Sequence, residues 1–141
     1  MNNFIFQNAT KVYFGKGCVK EYLSCLTKSA NKILLAYGGG SIKRNGIYDE
    51  VIGILKETNK TIIEFSGIMA NPTYAKVQEG AKLAKENNVD MILAIGGGSV
   101  MDCSKAVSLS ARYEGDIWDD FWASATRSQA VKSLRTGNGF P

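Results

Sequence analysis

Two short runs in this chain carry residue types that could hold an anion. Gly96-Gly97-Gly98-Ser99 follows the apolar segment Met91 to Ile95, and Gly38-Gly39-Gly40-Ser41 follows Ile33 to Tyr37. A strand that ends in glycines and turns into a helix leaves backbone N–H groups unpaired at the positive end of that helix. Glycines there admit positive φ and let an anion approach the backbone without meeting a Cβ atom. Such a pair of loops suits a phosphate or diphosphate. In the later run, Ser99 is placed to cap the next helix, and Asp102 stands three residues on, as in a capping box. Asp102 also reads as a contact to polar parts of a ligand, and Lys105 as a solvated helix lysine. A lone Gly-Gly-Gly-Ser is more often a plain tight turn. The Ser-x-x-Asp-x-x-Lys-Ala continuation and the second copy of the device favour a ligand.

The earlier turn bears on which nucleotide is held. Many α/β domains that take NAD set a carboxylate at a strand end, where it accepts hydrogen bonds from ribose hydroxyls. No carboxylate lies between Ile33 and Tyr48. Gly38 and Gly39 leave room and open N–H groups, Ser41 offers a hydroxyl, and Lys43 with Arg44 supplies positive charge. That set tolerates a 2′-phosphate, so the expected coenzyme is NADP rather than NAD. A Gly-rich turn with two exposed bases is the plainer reading of the same residues. Asn71, before Pro72, is expected to be extended; its amide can face a ligand or close a local turn, and the turn use is the commoner.

These loops need strands and helices to carry them. Phe4-Ile5-Phe6 and Lys11-Val12-Tyr13-Phe14 read as a two-stranded ribbon. Cys18 to Leu26 has helical spacing, with Val19, Tyr22, Leu23 and Leu26 on one face. Strands are expected at Lys32–Tyr37, Thr61–Phe65 and Met91–Ile95. Helices are expected from about Tyr48 to Thr58, from Pro72 to about Asn87 (Val77, Ala81 and Ala84 inward) and from Ser99 to Ala111. Strands alternating with helices over short links predict a Rossmann-like, doubly wound parallel sheet, with the N-terminal ribbon as an addition. Its ligand belongs beyond the carboxyl ends of the strands. The aromatic cluster of Tyr113, Trp118, Phe121 and Trp122 reads as core or interface.

Composition narrows the function classes. With 141 residues, 45% hydrophobic and 21% charged, the chain fits one soluble α/β domain. A net charge of +4 helps attract an anionic coenzyme but is too weak to argue for nucleic acid, and no helix carries a continuous basic stripe. Cys18, Cys25 and Cys103 form no CxxC and read as reduced thiols in the cytoplasm. The N-terminus lacks the pattern of a signal peptide, and no apolar run approaches a membrane span. There is no His at all, so the chain cannot build a His-containing metal site or a Ser/His/Asp triad.

The motifs together resemble a known family. Phe14-Gly15-Lys16-Gly17, Tyr37 to Gly46, Asn71-Pro72, Gly96 to Ala106 and Gly115-Asp116-Ile117-Trp118-Asp119 stand in the order and spacing of the iron-containing (group III) alcohol dehydrogenases. The branch they most resemble is the NADPH-dependent butanol dehydrogenases. The resemblance covers about residues 4–122.

That resemblance implies a dehydroquinate synthase-like N-terminal domain that binds NADP(H) through Gly38, Gly39, Ser41, Asn71, Gly97, Gly98, Ser99 and Asp102. In NAD-preferring relatives an Asp stands where this chain has Gly38. It also implies an all-helical C-terminal domain in which one Asp and three His hold Fe²⁺ or Zn²⁺, which polarises the oxygen of a small alcohol or aldehyde. Neither that domain nor its ligands are in this chain, so it offers no catalytic or metal residue and is expected to be inactive alone. The members are more than twice as long. Residues 1–122 thus read as the NADP-binding domain and 123–141 as a tail, irregular or a short helix, left by truncation or a shifted frame. A homodimer is the expected assembly. A glycerol dehydrogenase- or dehydroquinate synthase-like enzyme on the same scaffold is the nearest alternative; the Gly38 turn and Ile117-Trp118-Asp119 count against it. A non-catalytic fragment that packs through exposed helix faces is the other.

Overall fold

The computed structural model describes residue 5 and residues 7–122. In chain order the elements are α1 (Cys18–Leu26), β1 (Lys32–Tyr37), α2 (Ser41–Arg44), α3 (Ile47–Glu57), β2 (Thr61–Phe65), α4 (Tyr74–Glu86), β3 (Met91–Ile95), α5 (Gly98–Arg112) and a π-helical turn (Trp118–Trp122). The strands form one parallel sheet in the order β2-β1-β3. The near-continuous apolar run of β1 is explained by its place: it is the central strand, covered on both faces, and Ile33 to Tyr37 are all buried.

Side chains alternate across the sheet and split the core in two. Leu34, Ala36 and Phe65 pack with Val77 and Ala84 of α4 and with Val100, Cys103 and Val107 of α5. Ile33, Leu35 and Tyr37 pack with Leu23 of α1, Ile42 of α2 and Val51 and Leu55 of α3. Helices cover both faces, as the doubly wound expectation requires. Burial of Cys103 in this core pushes its thiol pKa up, which keeps it a packing group. At Gly80, α4 packs against both the sheet and α5 with no room for a side chain. A Cβ there would lie 2.7 Å from Val107 Cγ2 and 2.8 Å from the Phe65 ring.

Local chemistry sets the ends of these elements. Asn59 and Asn88, with φ of 55° and 52°, close α3 and α4 in the left-handed region that Asn tolerates best among non-Gly residues. Asp90 accepts hydrogen bonds from the Asn31 and Lys32 N–H groups at 2.9 and 3.1 Å, tying the start of β1 to that of β3. Thr73 caps α4, its hydroxyl accepting from Lys76 N at 3.3 Å. Pro72 therefore lies just outside α4, not in its first turn.

Two further expectations need correction. Lys11–Phe14 pairs with no strand among the described residues, and Val12 and Phe14 are exposed. An isolated two-stranded ribbon is marginal in water without a face to pack on. Tyr13 finds such a face, its ring 4.7 Å from that of Tyr22. Phe4 and Phe6 of the ribbon lie outside the described residues, as does the tail 123–141. On α1, Leu23 is buried, whereas Val19 and Leu26 of the expected inner face are not. Ser41–Arg44, for which no element was expected, makes one helical turn with Ile42 buried beneath it.

Candidate functional site

Tyr37 and Ile95 are register partners, so the two glycine turns leave neighbouring strands side by side. The chain goes from β1 to one neighbour through α2 and α3, and β3 lies on the other side, so these turns flank the place where the strand order reverses. In open α/β sheets that crevice, beyond the carboxyl ends, is where ligands bind. A third loop joins them. Gly67 N–H donates to Gly38 O at 3.0 Å and Ile68 N–H to Tyr37 O at 3.2 Å, so the 66–71 loop is fastened to the first turn.

The later turn is shaped for close approach of a ligand. Gly96 has φ of 156°, and a Cβ there would meet Val100 Cγ2 at 2.7 Å. Gly97 and Gly98 have open space where side chains would stand. Gly97 is the N-cap of the fifteen-residue α5 and no side chain caps it. Gly97 O accepts from Val100 and Met101 N–H, while the N–H groups of Gly98 and Ser99 belong to the first turn, at the positive end of the helix dipole. This corrects the expected capping box. The helix starts one residue earlier, Ser99 sits within it, and Asp102 is exposed and paired with Lys105 at 3.4 Å. Lys105 is the solvated helix lysine its position suggested, with 78% of its side chain exposed.

The earlier turn is tighter at its root and open at its tip. A Cβ on Gly38 would lie 3.1 Å from Ile68 O, whereas one on Gly39 would meet nothing within 4 Å. Ser41 is exposed at the start of α2. Asn71 is exposed on the third loop, but with φ of 51° it is left-handed and not extended. Proline disfavours the right-handed α region for the residue before it, and Asn reaches the left-handed one at little cost. Gly38, Gly39, Gly97, Gly98 and Ser99 are thus gathered at the crevice between β1 and β3. Asn71 lies on the loop fastened beside it, and Asp102 lies one turn along α5.

A group of polar residues that the sequence did not single out borders the first turn. Tyr37 OH donates to Glu64 Oε2 at 2.6 Å, and Tyr48 OH donates to Glu64 Oε1. Those two hydroxyls hold the Glu64 carboxyl below the usual glutamate range, and Lys43 adds to the effect. Tyr48 is pushed up to about 12, chiefly by its bond to Glu64. Lys43 Nζ lies over both rings, 4.6 Å from the Tyr48 centroid and 5.5 Å from that of Tyr37. Cation–π contacts of this kind contribute about 0.5–1 kcal/mol each when exposed. A carboxylate thus stands beside the first turn although none lies between residues 33 and 48, but it comes from β2 and both its oxygens accept tyrosine hydroxyls. Its signal was a lone Glu in the apolar strand Thr61–Phe65.

Beside Tyr74, the first residue of α4, Asp116 organises the segment that follows α5. Its Oδ1 accepts from Tyr74 OH and from Trp118 N, both at 2.8 Å, and these bonds lower its carboxyl pKa. Ile117 is buried in the core, and Trp118 is half exposed, 5.5 Å from the Tyr74 ring. The aromatic segment is thus partly core, and a groove of about 970 Å³ runs elsewhere, along the open edge of β3 between α4 and α5.

A parallel sheet wrapped on both faces, with glycine turns paired at its switch point, defines a doubly wound, Rossmann-like α/β domain. The chain belongs to the iron-containing alcohol dehydrogenase family, whose pattern it matches over residues 9–136. It is 48% identical over 119 residues to NADH-dependent butanol dehydrogenase A of Clostridium acetobutylicum, covering 84% of this chain and 31% of that protein. It is 37% identical over 133 residues to the NADPH-dependent aldehyde reductase YqhD of Escherichia coli, covering 94% of this chain and 33% of that one. The crystal structure of NADH-dependent butanol dehydrogenase A from Thermotoga maritima superposes with a TM-score of 0.78 at 46% identity, over 86% of this chain and 31% of that one. The chain spans about a third of the length of these relatives. No helix among the described residues is long and apolar enough to cross a membrane.

Proposed function

We propose that this chain is the nicotinamide-coenzyme-binding part of an enzyme that interconverts small primary alcohols and aldehydes, and that the coenzyme is NADP(H). The observation that carries the reading is the Tyr37–Ile95 register, which sets two glycine turns at one crevice. The uncapped start of α5, with open space at Gly97 and Gly98, fits a diphosphate. When bound, the coenzyme supplies or accepts the hydride. In this reading the chain's own residues bind and orient. Gly97, Gly98 and Ser99 would hold the diphosphate through backbone N–H groups; Gly38, Gly39 and Ser41 would line the adenosine side, with Asn71 and Asp102 at the margins.

For the phosphorylated form, the support is the missing side chain at Gly38 and the absence of a carboxylate in the turn itself. Glu64 stands nearby, but both its oxygens accept tyrosine hydroxyls. The relatives named above divide between NADH and NADPH, so measurement must separate the two. The family's metal does not fit the residues present. The sequence has no His, and no three His, Cys, Asp or Glu side chains come together among the described residues.

Fluorescence titration of the 141-residue chain with NADPH and NADH tests the reading. Saturable binding of both, tighter for NADPH, is the expected result. No binding of either overturns the reading, and tighter binding of NADH overturns the choice of coenzyme.

A further inference from the structure

Lys43 and Arg44 are adjacent in α2, yet their side chains go to different surroundings. Lys43 lies over the rings of Tyr37 and Tyr48 and acts electrostatically on Glu64. Arg44 turns back over the glycine turn, where a Cβ built on Gly40 would lie 3.3 Å from its Nη1. Gly40 thus leaves the space that the guanidinium uses. Among the described residues Arg44 is exposed and has no ion-pair partner.

We propose that Arg44, and not Lys43, is the residue through which this chain reads a phosphate on the adenosine ribose of its coenzyme. The assignment rests on the coenzyme reading given above and deepens it. Moving Lys43 to a phosphate would give up two ring contacts and remove the positive charge beside Glu64. Arg44 would give up neither. Its planar fork of donors also matches phosphate oxygens two at a time, which a lysine ammonium cannot do. Glu64, with Tyr37 and Tyr48, is then the device that keeps the second basic residue of α2 out of the site. One cation at the turn, not two, sets how strongly the phosphorylated coenzyme is favoured.

The test compares NADPH and NADH affinities of the whole chain, unchanged and as Arg44→Gln and Lys43→Gln, with adenosine 2′-monophosphate as a competing probe. Circular dichroism melts establish that each variant is folded. Arg44→Gln is expected to weaken NADPH and the 2′-phosphate probe about tenfold, as for loss of a charged hydrogen bond, and to leave NADH within about twofold. Lys43→Gln is expected to leave the NADPH-to-NADH ratio in place. A ratio that moves with Lys43→Gln, or one that does not move with Arg44→Gln, overturns the assignment while the coenzyme reading stands. Failure of the unchanged chain to bind either coenzyme overturns both.

Discussion

The Tyr37 hydroxyl donates to Glu64 at 2.6 Å, joining the end of β2 to the last residue of β1 before the glycine turn. Tyr48 donates to the other carboxylate oxygen from α3. One acidic side chain therefore fixes two strands and a helix at the rim of the candidate site. Both bonds require the carboxylate to accept and the phenols to remain protonated. That gives the cluster two pH limits.

On the acid side, the folded pKa of Glu64 is lowered, so its contribution to stability is present above the unfolded glutamate value and is lost as pH falls through the folded one. Thermal melts of unchanged chain and Glu64→Gln should therefore differ most at neutral pH and converge under acid conditions. A gap that stays constant down to the acid limit would remove Glu64 from this role.

On the alkaline side the sign reverses. The folded pKa of Tyr48 is raised to about 12 from its ordinary value of 10, so the stabilisation is present below that ordinary value and is lost as pH rises through the folded one. A phenolate absorbance titration should show a late-ionising tyrosine that is missing from Tyr48→Phe, and Glu64→Gln should bring it back towards 10. If Tyr48→Phe removes no late-ionising phenol, the Tyr48–Glu64 bond is not formed in solution.

The strands were legible because their signal is local. Lys32–Tyr37, Thr61–Phe65 and Met91–Ile95 are short apolar runs bounded by turn residues, and each forms over those bounds. The paired turns were legible for the same reason, since a run of glycines directly after an apolar strand marks a turn. What could not be read depends on neighbours distant in sequence. Glu64 meets Tyr37 and Tyr48 only once β2 lies beside β1, and no spacing rule foretells that contact. Lys43 and Arg44 look equivalent in sequence and are separated only by what each packs against. The expected capping box at Ser99 and Asp102 failed because the extended backbone of Gly97 starts α5 one residue early. The extended reading of Asn71 failed because proline's restriction on the preceding residue leaves the left-handed region open.

Packing at Gly80 gives a prediction in which helix propensity points the wrong way. Ala in place of a mid-helix Gly ordinarily stabilises by about 1 kcal/mol. Here its methyl group would stand 2.7 Å from Val107 Cγ2 and 2.8 Å from the Phe65 ring, both in the buried core. Overpacking of that kind costs about 1–3 kcal/mol, so Gly80→Ala is expected to be net destabilising in urea unfolding. A more stable Gly80→Ala would mean that α4 and α5 leave room for a methyl group at this crossing.

The donor inventory predicts how the chain responds to metal. Cys25 is exposed, Cys18 half-buried and Cys103 buried, and no third acidic or thiol group gathers with any pair of them among the described residues. Calorimetric titration with Zn²⁺ should show no saturable site of micromolar strength. Adding Zn²⁺ or Fe²⁺ should also give no NADPH-dependent reduction of butyraldehyde by the 141 residues alone. Turnover under those conditions would show that the chain assembles a site from groups that stand apart here.

Adjacent glycines in the second turn separate folding from binding. Gly96 has positive φ and faces the Val100 side chain, so Gly96→Ala adds backbone strain and a contact at 2.7 Å. A loss of about 3 kcal/mol of stability is expected there. Gly97 has φ of −82° and ψ of −170°, which any residue adopts, and open space where its side chain would be. Gly97→Val should cost only about 1 kcal/mol, through a poorer helix cap. Its methyl groups would, however, occupy the space in front of the first N–H groups of α5, where the diphosphate is proposed to lie. Coenzyme affinity should fall tenfold or more, on the order of 1.4 kcal/mol, with the melting curve little changed. If Gly97→Val binds NADPH as tightly as the unchanged chain, the diphosphate does not lie against the start of α5.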